Sequence, residues 1–170
     1  VKRCNGLYTN EILKSETFRL TKRYKRKKTM VKILFICHGN ICRSPMAEYI
    51  LKNMAAGAAE RFEIDSAAVS REEIGNPVYP AARRELERHG VFCGDHTARQ
   101  VTAADLRYFD RLYYMDRSNA RLLKRLLPDD PEKIRPLLDR DVADPWYTGD
   151  FGKTWDDLVE GCTRIMEEFG

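Results

Sequence analysis

Long apolar runs are missing from this sequence: none approaches the roughly 20 residues that a membrane-spanning helix requires. The N-terminus carries ample positive charge but no apolar h-region, so it does not read as a secretory signal. Without such a signal, the five cysteines (Cys4, Cys37, Cys42, Cys93 and Cys162) favour a reducing, cytoplasmic setting over a disulfide framework. Zinc would compete for Cys37, His38 and Cys42, but it needs four ligands, and no second Cys/His pair in metal-ligand register follows. No metal is therefore expected. Internal repeats are absent as well.

What is present is a chain of 170 residues, 43% hydrophobic and 33% charged, which suits one soluble domain with a sizeable core. The net charge of +4 hides an asymmetry. Residues 1–29 hold ten Lys and Arg against two Glu, while residues 30–170 hold twenty Lys and Arg against twenty-four acidic residues. The globular part is thus mildly acidic, and the basic pI belongs to the tail. The run Lys22 to Lys28 could contact RNA or anionic lipid. The favoured reading is a disordered extension, or sequence upstream of a start at Met30, because no apolar face is present to drive folding. The expected organisation is an extension over 1–29 and a folded domain over 30–170.

The domain is organised around Val31 to Glu48. Val31 and Ile33–Ile36 form a short β-branched and aromatic run expected to be a buried strand. The loop Cys37-His38-Gly39-Asn40-Ile41-Cys42-Arg43-Ser44 follows, a C-x5-R-S pattern. Ser44 as cap and Pro45 at the first helical position predict a helix running to Ala59. Further on, the periodicity predicts strands over Phe62–Ala67, Arg111–Met115 and Ile134–Leu138, with Pro136 confining the last to an edge. Helices are predicted over Tyr79–His89, Thr102–Leu106, Asn119–Leu127 and Thr154–Phe169, with Asp139–Lys153 as a polar loop. Alternating strands and helices imply an α/β fold with a mostly parallel sheet covered on both faces. Ligands in such folds bind at the carboxyl ends of strands, and Cys37 ends the first.

A loop feeding a helix N-terminus aims amides and the positive dipole end at one point, which suits an anion. Cys37 would be the nucleophile there, because loop amides, the dipole and Arg43 all favour its thiolate. Arg43 can grip two phosphoryl oxygens at once, which Lys cannot. Asn40 sits where the loop must turn sharply, and Asn tolerates the left-handed conformation. Asp144, before Pro145, reads equally as a turn starter or as a general acid. The rings of Trp146 and Tyr147 favour the acid, since apolar walls suit an aromatic substrate. Asp141 is the nearest rival. Cys42 could trap an oxidised Cys37 as a disulfide or simply pack in the loop.

Together these motifs resemble the low-molecular-weight protein tyrosine phosphatases over about residues 31–169. The signature loop is joined by Asp65-Ser66-Ala67-Ala68, Glu73-Ile74-Gly75-Asn76-Pro77 and Asp144-Pro145-Trp146-Tyr147. His96-x-Ala98-Arg99-Gln100 and Met115-Asp116-x-Ser118-Asn119 are also similar to the family pattern. The resemblance implies a three-layer sandwich whose central four-stranded sheet has the order 2-1-3-4. It implies hydrolysis of phosphotyrosine in proteins or peptides through a phosphocysteine, without metal or cofactor. Cys37, Arg43 and Asp144 would be catalytic. His38, Gly39, Asn40, Ile41, Cys42, Ser44, Trp146 and Tyr147 would surround the substrate. Ser44 would also ease departure of the thiolate, while Ser66 and His96 hold Asn40. An arsenate reductase of this fold would need further relay cysteines, for which Cys93 is the mid-chain candidate. An arginine phosphatase resembles forms with Thr where Ile41 stands. A non-catalytic phosphate-binding module is the rival of a different class.

Overall fold

The computed structural model describes residues 30–170, so the expected extension over 1–29 lies outside the described residues. Strand β1 spans Val31–Cys37, β2 Phe62–Ala68, β3 Arg111–Tyr114 and β4 Ile134–Pro136. They form one parallel sheet in the order β2-β1-β3-β4. A parallel central strand is buried on both faces, so its sequence reads as a continuous apolar run. Ile33 to Ile36 are fully buried in β1.

Alternation along β1 divides the core in two. Ile33, Phe35 and Cys37 join a cluster with Met46, Ile50, Leu86, Leu158, Cys162 and Ile165. Leu34 and Ile36 join a smaller one with Val101, Phe109, Leu123 and Leu127. The first cluster packs under α1 (Arg43–Met54), α2 (Pro80–Arg88) and α6 (Phe151–Phe169). The second lies under α3 (Ala103–Tyr108) and α4 (Arg117–Leu126). The layers are those of the expected sandwich. Among the described residues, no helix is long and apolar enough to cross a membrane.

The largest differences from expectation lie at the two ends of α1 and in the segment leading into α6. Helix α1 is capped at Cys42, without a side-chain bond, and Ser44 lies inside its first turn. The loop geometry starts the helix earlier than the Ser-Pro pair suggests. Pro45 is tolerated because amides of the first turn lack intrahelical partners anyway. The helix ends at Met54 and a 3-10 segment, Ala56–Arg61, leads into β2. The presumed loop at Asp139–Lys153 contains a short helix, α5 (Pro145–Thr148), capped by Asp144 and ended by Gly149 at φ 70°. Asp150, accepting from Lys153 N at 2.8 Å, starts α6 three residues before the expected Thr154.

Helix α6 lies close to the segment after β4. A Cβ added at Gly161 would fall well inside contact of Leu137 Cγ. Gly161→Ala is expected to destabilise the fold by about 1–3 kcal/mol through overpacking. Combined with Leu137→Ala it should cost less than the two changes summed, because the truncated side chain leaves room. Urea unfolding of the three variants checks this coupling.

Candidate active site

The loop after β1 is shaped by Asn40. This residue has φ 60°, the only positive φ at a non-glycine among the described residues. Buried completely, it satisfies every polar group it owns. Its amide donates to Cys37 Sγ at 3.3 Å and its carbonyl accepts from His96 Nε2 at 2.8 Å. Its Nδ2 donates to Ser44 Oγ and Ser66 Oγ, both at 2.9 Å, and its Oδ1 accepts from Arg99 N at 3.1 Å. Ser66 Oγ in turn donates to Glu48 Oε2 at 2.6 Å, and Lys52 holds the other Glu48 oxygen. A carboxylate only accepts, so proton direction is fixed along this chain from Glu48 to Asn40.

At its end, Ser44 Oγ lies 3.0 Å from Cys37 Sγ and 3.4 Å from the Ala67 carbonyl. Because it already accepts from Asn40, its own proton is available to the sulfur or to that carbonyl. Helices α3 to α6 are each capped by a side-chain oxygen, whereas α1 is not. Its first amides and dipole are therefore left to the pocket.

Arg43 reaches across to the other half of the chain. One guanidinium nitrogen donates to Asp116 Oδ2 at 2.6 Å, and the second to Asp144 Oδ2 at 2.5 Å. Burial alone would lower its pKa, but Cys37, Asp144 and Asp116 outweigh this and raise it. Arg43 is a fixed cation on the pocket floor. Asp144 uses its second oxygen to accept from Trp146 N at 3.1 Å. Burial, followed by the charges of Cys37 and Asp144, pushes the Cys42 thiol up to about 12. It stays protonated at neutral pH.

These groups line one cavity of about 150 Å³. Its floor is Cys37, Ile41, Cys42 and Arg43, with His38 and Gly39 at the edge; Glu72 and Glu73 form one wall, and Asp144, Trp146 and Tyr147 the other. Trp146 leans edge-on against Tyr79, with ring centroids 5.6 Å apart. Ser66 and His96 stand behind the loop, bonded to Asn40. Asp141 pairs with Arg117 outside this cavity, and Cys93 is buried in the core rather than lining it. The roles of Asp116, Glu48 and Tyr79 were not anticipated from the sequence. Asp116 stood in the family-like stretch Met115-Asp116-x-Ser118-Asn119, and its position at the carboxyl end of β3 is a second signal that could have marked it.

Asn40→Ala is expected to lower stability by about 2–4 kcal/mol, through left-handed strain and orphaned buried partners. Asn40→Gly should recover only about 1 kcal/mol of that, since it frees φ and restores no side-chain bond. Denaturant midpoints at constant slope measure both.

Comparison with known proteins fits this geometry. Residues 32–170 match the family model for low molecular weight phosphotyrosine protein phosphatase. The low molecular weight protein-tyrosine-phosphatase YfkJ of Bacillus subtilis is 37% identical over 147 residues, covering 81% of this chain and 94% of the relative. The YfkJ crystal structure superposes with a TM-score of 0.79 at 36% identity, covering 82% and 94% of the two chains. The low molecular weight phosphotyrosine protein phosphatase of Gallus gallus is 37% identical over 148 residues, 81% of this chain and 92% of its own. A Drosophila arginine phosphatase structure gives a TM-score of 0.72 at 29% identity, over 82% of this chain and 98% of that one. By the match across its whole described domain, this chain belongs to the low molecular weight phosphotyrosine protein phosphatase family.

Proposed function

We propose that the protein hydrolyses phosphotyrosine in proteins or peptides through a phosphocysteine, with residues 30–170 as the catalytic domain. One observation carries the reading. Arg43, six residues after Cys37 on the same loop, is bonded to a carboxylate 101 residues further along, so nucleophile, clamp and acid share one pocket.

The Cys37 thiolate attacks phosphorus as the bond from phosphorus to the aryl oxygen breaks. Asp144, protonated, gives its proton to the departing phenolate. Arg43 exchanges a carboxylate for two phosphoryl oxygens and follows their charge into the transition state. In the second step Asp144 takes a proton from water, whose oxygen attacks phosphorus and expels the thiolate. Ser44 donates its spare proton to that sulfur. Gly39, Asn40, Ile41 and Cys42 shape the cradle, while Trp146 and Tyr147 flank the ring. His38 lies at the mouth.

Arginine phosphatase activity is the rival, favoured by the structural likeness to the Drosophila enzyme. Ile41, 8% exposed on the pocket floor, offers an apolar contact to a tyrosyl ring instead. Cys93, outside the pocket, gives little support to an arsenate relay. The described cysteines are free thiols, which suits a cytoplasmic setting.

On a phosphotyrosine peptide, Cys37→Ser should abolish turnover, and Asp144→Ala should lower kcat by about 10²–10³-fold. Asp141→Ala should change it less than about threefold, since that side chain is an exposed ion-pair partner. Equal losses for the two aspartates would sink the acid assignment. Faster turnover of phosphoarginine than of phosphotyrosine would move the activity to the rival.

Cys42 would guard the nucleophile. A Cys37 sulfenic acid condenses with the protonated Cys42 thiol, forming the disulfide and releasing water. After mild peroxide, mass spectrometry should find the two peptides linked and thiol reductant should restore activity. Irreversible loss without a link would remove the role.

A further inference from the structure

The mouth of the pocket carries charged groups that the hydrolysis above does not use. His38 Nε2 lies 3.0 Å from Glu72 Oε2 and, facing an acceptor-only carboxylate, is the donor. The backbone ties the same segments, with Val69 N donating to the Cys37 carbonyl at 2.9 Å and Ser70 N to that of His38 at 3.0 Å. Glu73 continues the wall. Its Oε2 accepts from Asn76 Nδ2 at 2.6 Å, and its Cγ lies over Gly39, where a Cβ would come within 2.9 Å. The acidic wall is thus tethered to the loop that holds Cys37.

Among the described residues, charge around the opening is one-sided. Arg43 is the one Lys or Arg among the described residues that lines the cavity, and it is buried and bonded to two carboxylates. Above it the walls present Glu72, Glu73 and Asp144. Arg71 is exposed in the same turn but does not line the cavity. Glu72 is 72% exposed on its side chain, so it meets whatever flanks the substrate.

We propose that Glu72 and Glu73 select substrate by charge, favouring phosphotyrosine with Lys or Arg beside it in sequence. The proposal rests on the phosphotyrosine reading above. With the phosphate on the loop and the ring between the walls, residues flanking the tyrosine must pass over the rim. Two carboxylates there attract a cationic neighbour and repel an acidic one, over about 10 Å at 0.1 M salt. Such rim charges act on encounter and binding more than on the chemical step, so the preference belongs in KM.

The test compares kcat/KM on two phosphotyrosine peptides, identical except for Lys or Glu beside the tyrosine. para-Nitrophenyl phosphate, which has no flanks, reports the chemistry alone. The Lys peptide should be about fivefold better at low salt, with the ratio falling towards one near 0.5 M. Glu72→Gln with Glu73→Gln should bring the ratio to about one, while Glu72→Asp with Glu73→Asp should retain most of it. A wild-type ratio of one or below, with para-nitrophenyl phosphate still turned over, overturns the proposal. So does a ratio that survives in the double Gln variant. Absence of turnover on every aryl phosphate would instead overturn the hydrolysis reading itself.

Discussion

The pocket depends on the left-handed turn at Asn40. A residue in that conformation costs about 1–2 kcal/mol unless its surroundings impose it. Here two serines, a histidine and a backbone amide from a third segment do so. The turn brings its own amide under Cys37 and directs the chain so that Arg43 opens the helix. Sheet register is part of the same constraint. Phe35 faces Ser66 across the β1–β2 pair, and a slip of one residue would turn Ser66 to the opposite face. The partners of Asn40 thus come from the sheet, the helix and the loop before α3, so no one element sets the turn alone.

Half of this site was legible locally. The apolar run of β1, the C-x5-R-S loop and the following helix lie within about twenty consecutive residues, and short-range pattern suffices for them. Asp144 was ambiguous between turn and acid for a physical reason: one of its oxygens caps α5 and the other holds Arg43. The two readings describe the same carboxylate. Asp116 stood in a family-like stretch, but its bond to Arg43 was not legible, because it spans 73 residues and locally the side chain reads as an ordinary cap. Glu48 lies four residues after Ser44, one too many for a capping box, so its place in the sequence assigns it no partner. Its partner is Ser66, across the core from the loop it supports. The misplaced cap at Ser44 has the same origin. Local sequence favours a Ser-Pro start, but the turn at Asn40 decides where helical geometry begins.

Polarity across the pocket follows from what each wall must do. The Trp146 side is apolar above Asp144, and Tyr79 buttresses it from the start of α2. A ring held there keeps its oxygen near the carboxyl group, where proton transfer needs a heavy-atom separation of about 3 Å. In the proposed reaction the Glu72 side would have no such duty, which would leave its charge to read the rest of the substrate.

In the hydrolysis proposed here, the bond between Arg43 and Asp144 would link binding to acid catalysis. Here the guanidinium occupies one oxygen of that carboxylate. A phosphoryl group seated on the loop competes for the same fork with more charge and better bidentate geometry. Asp116 stays with Arg43 through the opposite nitrogen, so the guanidinium keeps its orientation while the exchange occurs. Asp144, released from the fork, would then lie next to the oxygen that the proposed reaction protonates. Substrate arrival itself would free the carboxylate for its role. The arrangement requires two carboxylates on one arginine: one to fix it and one to yield.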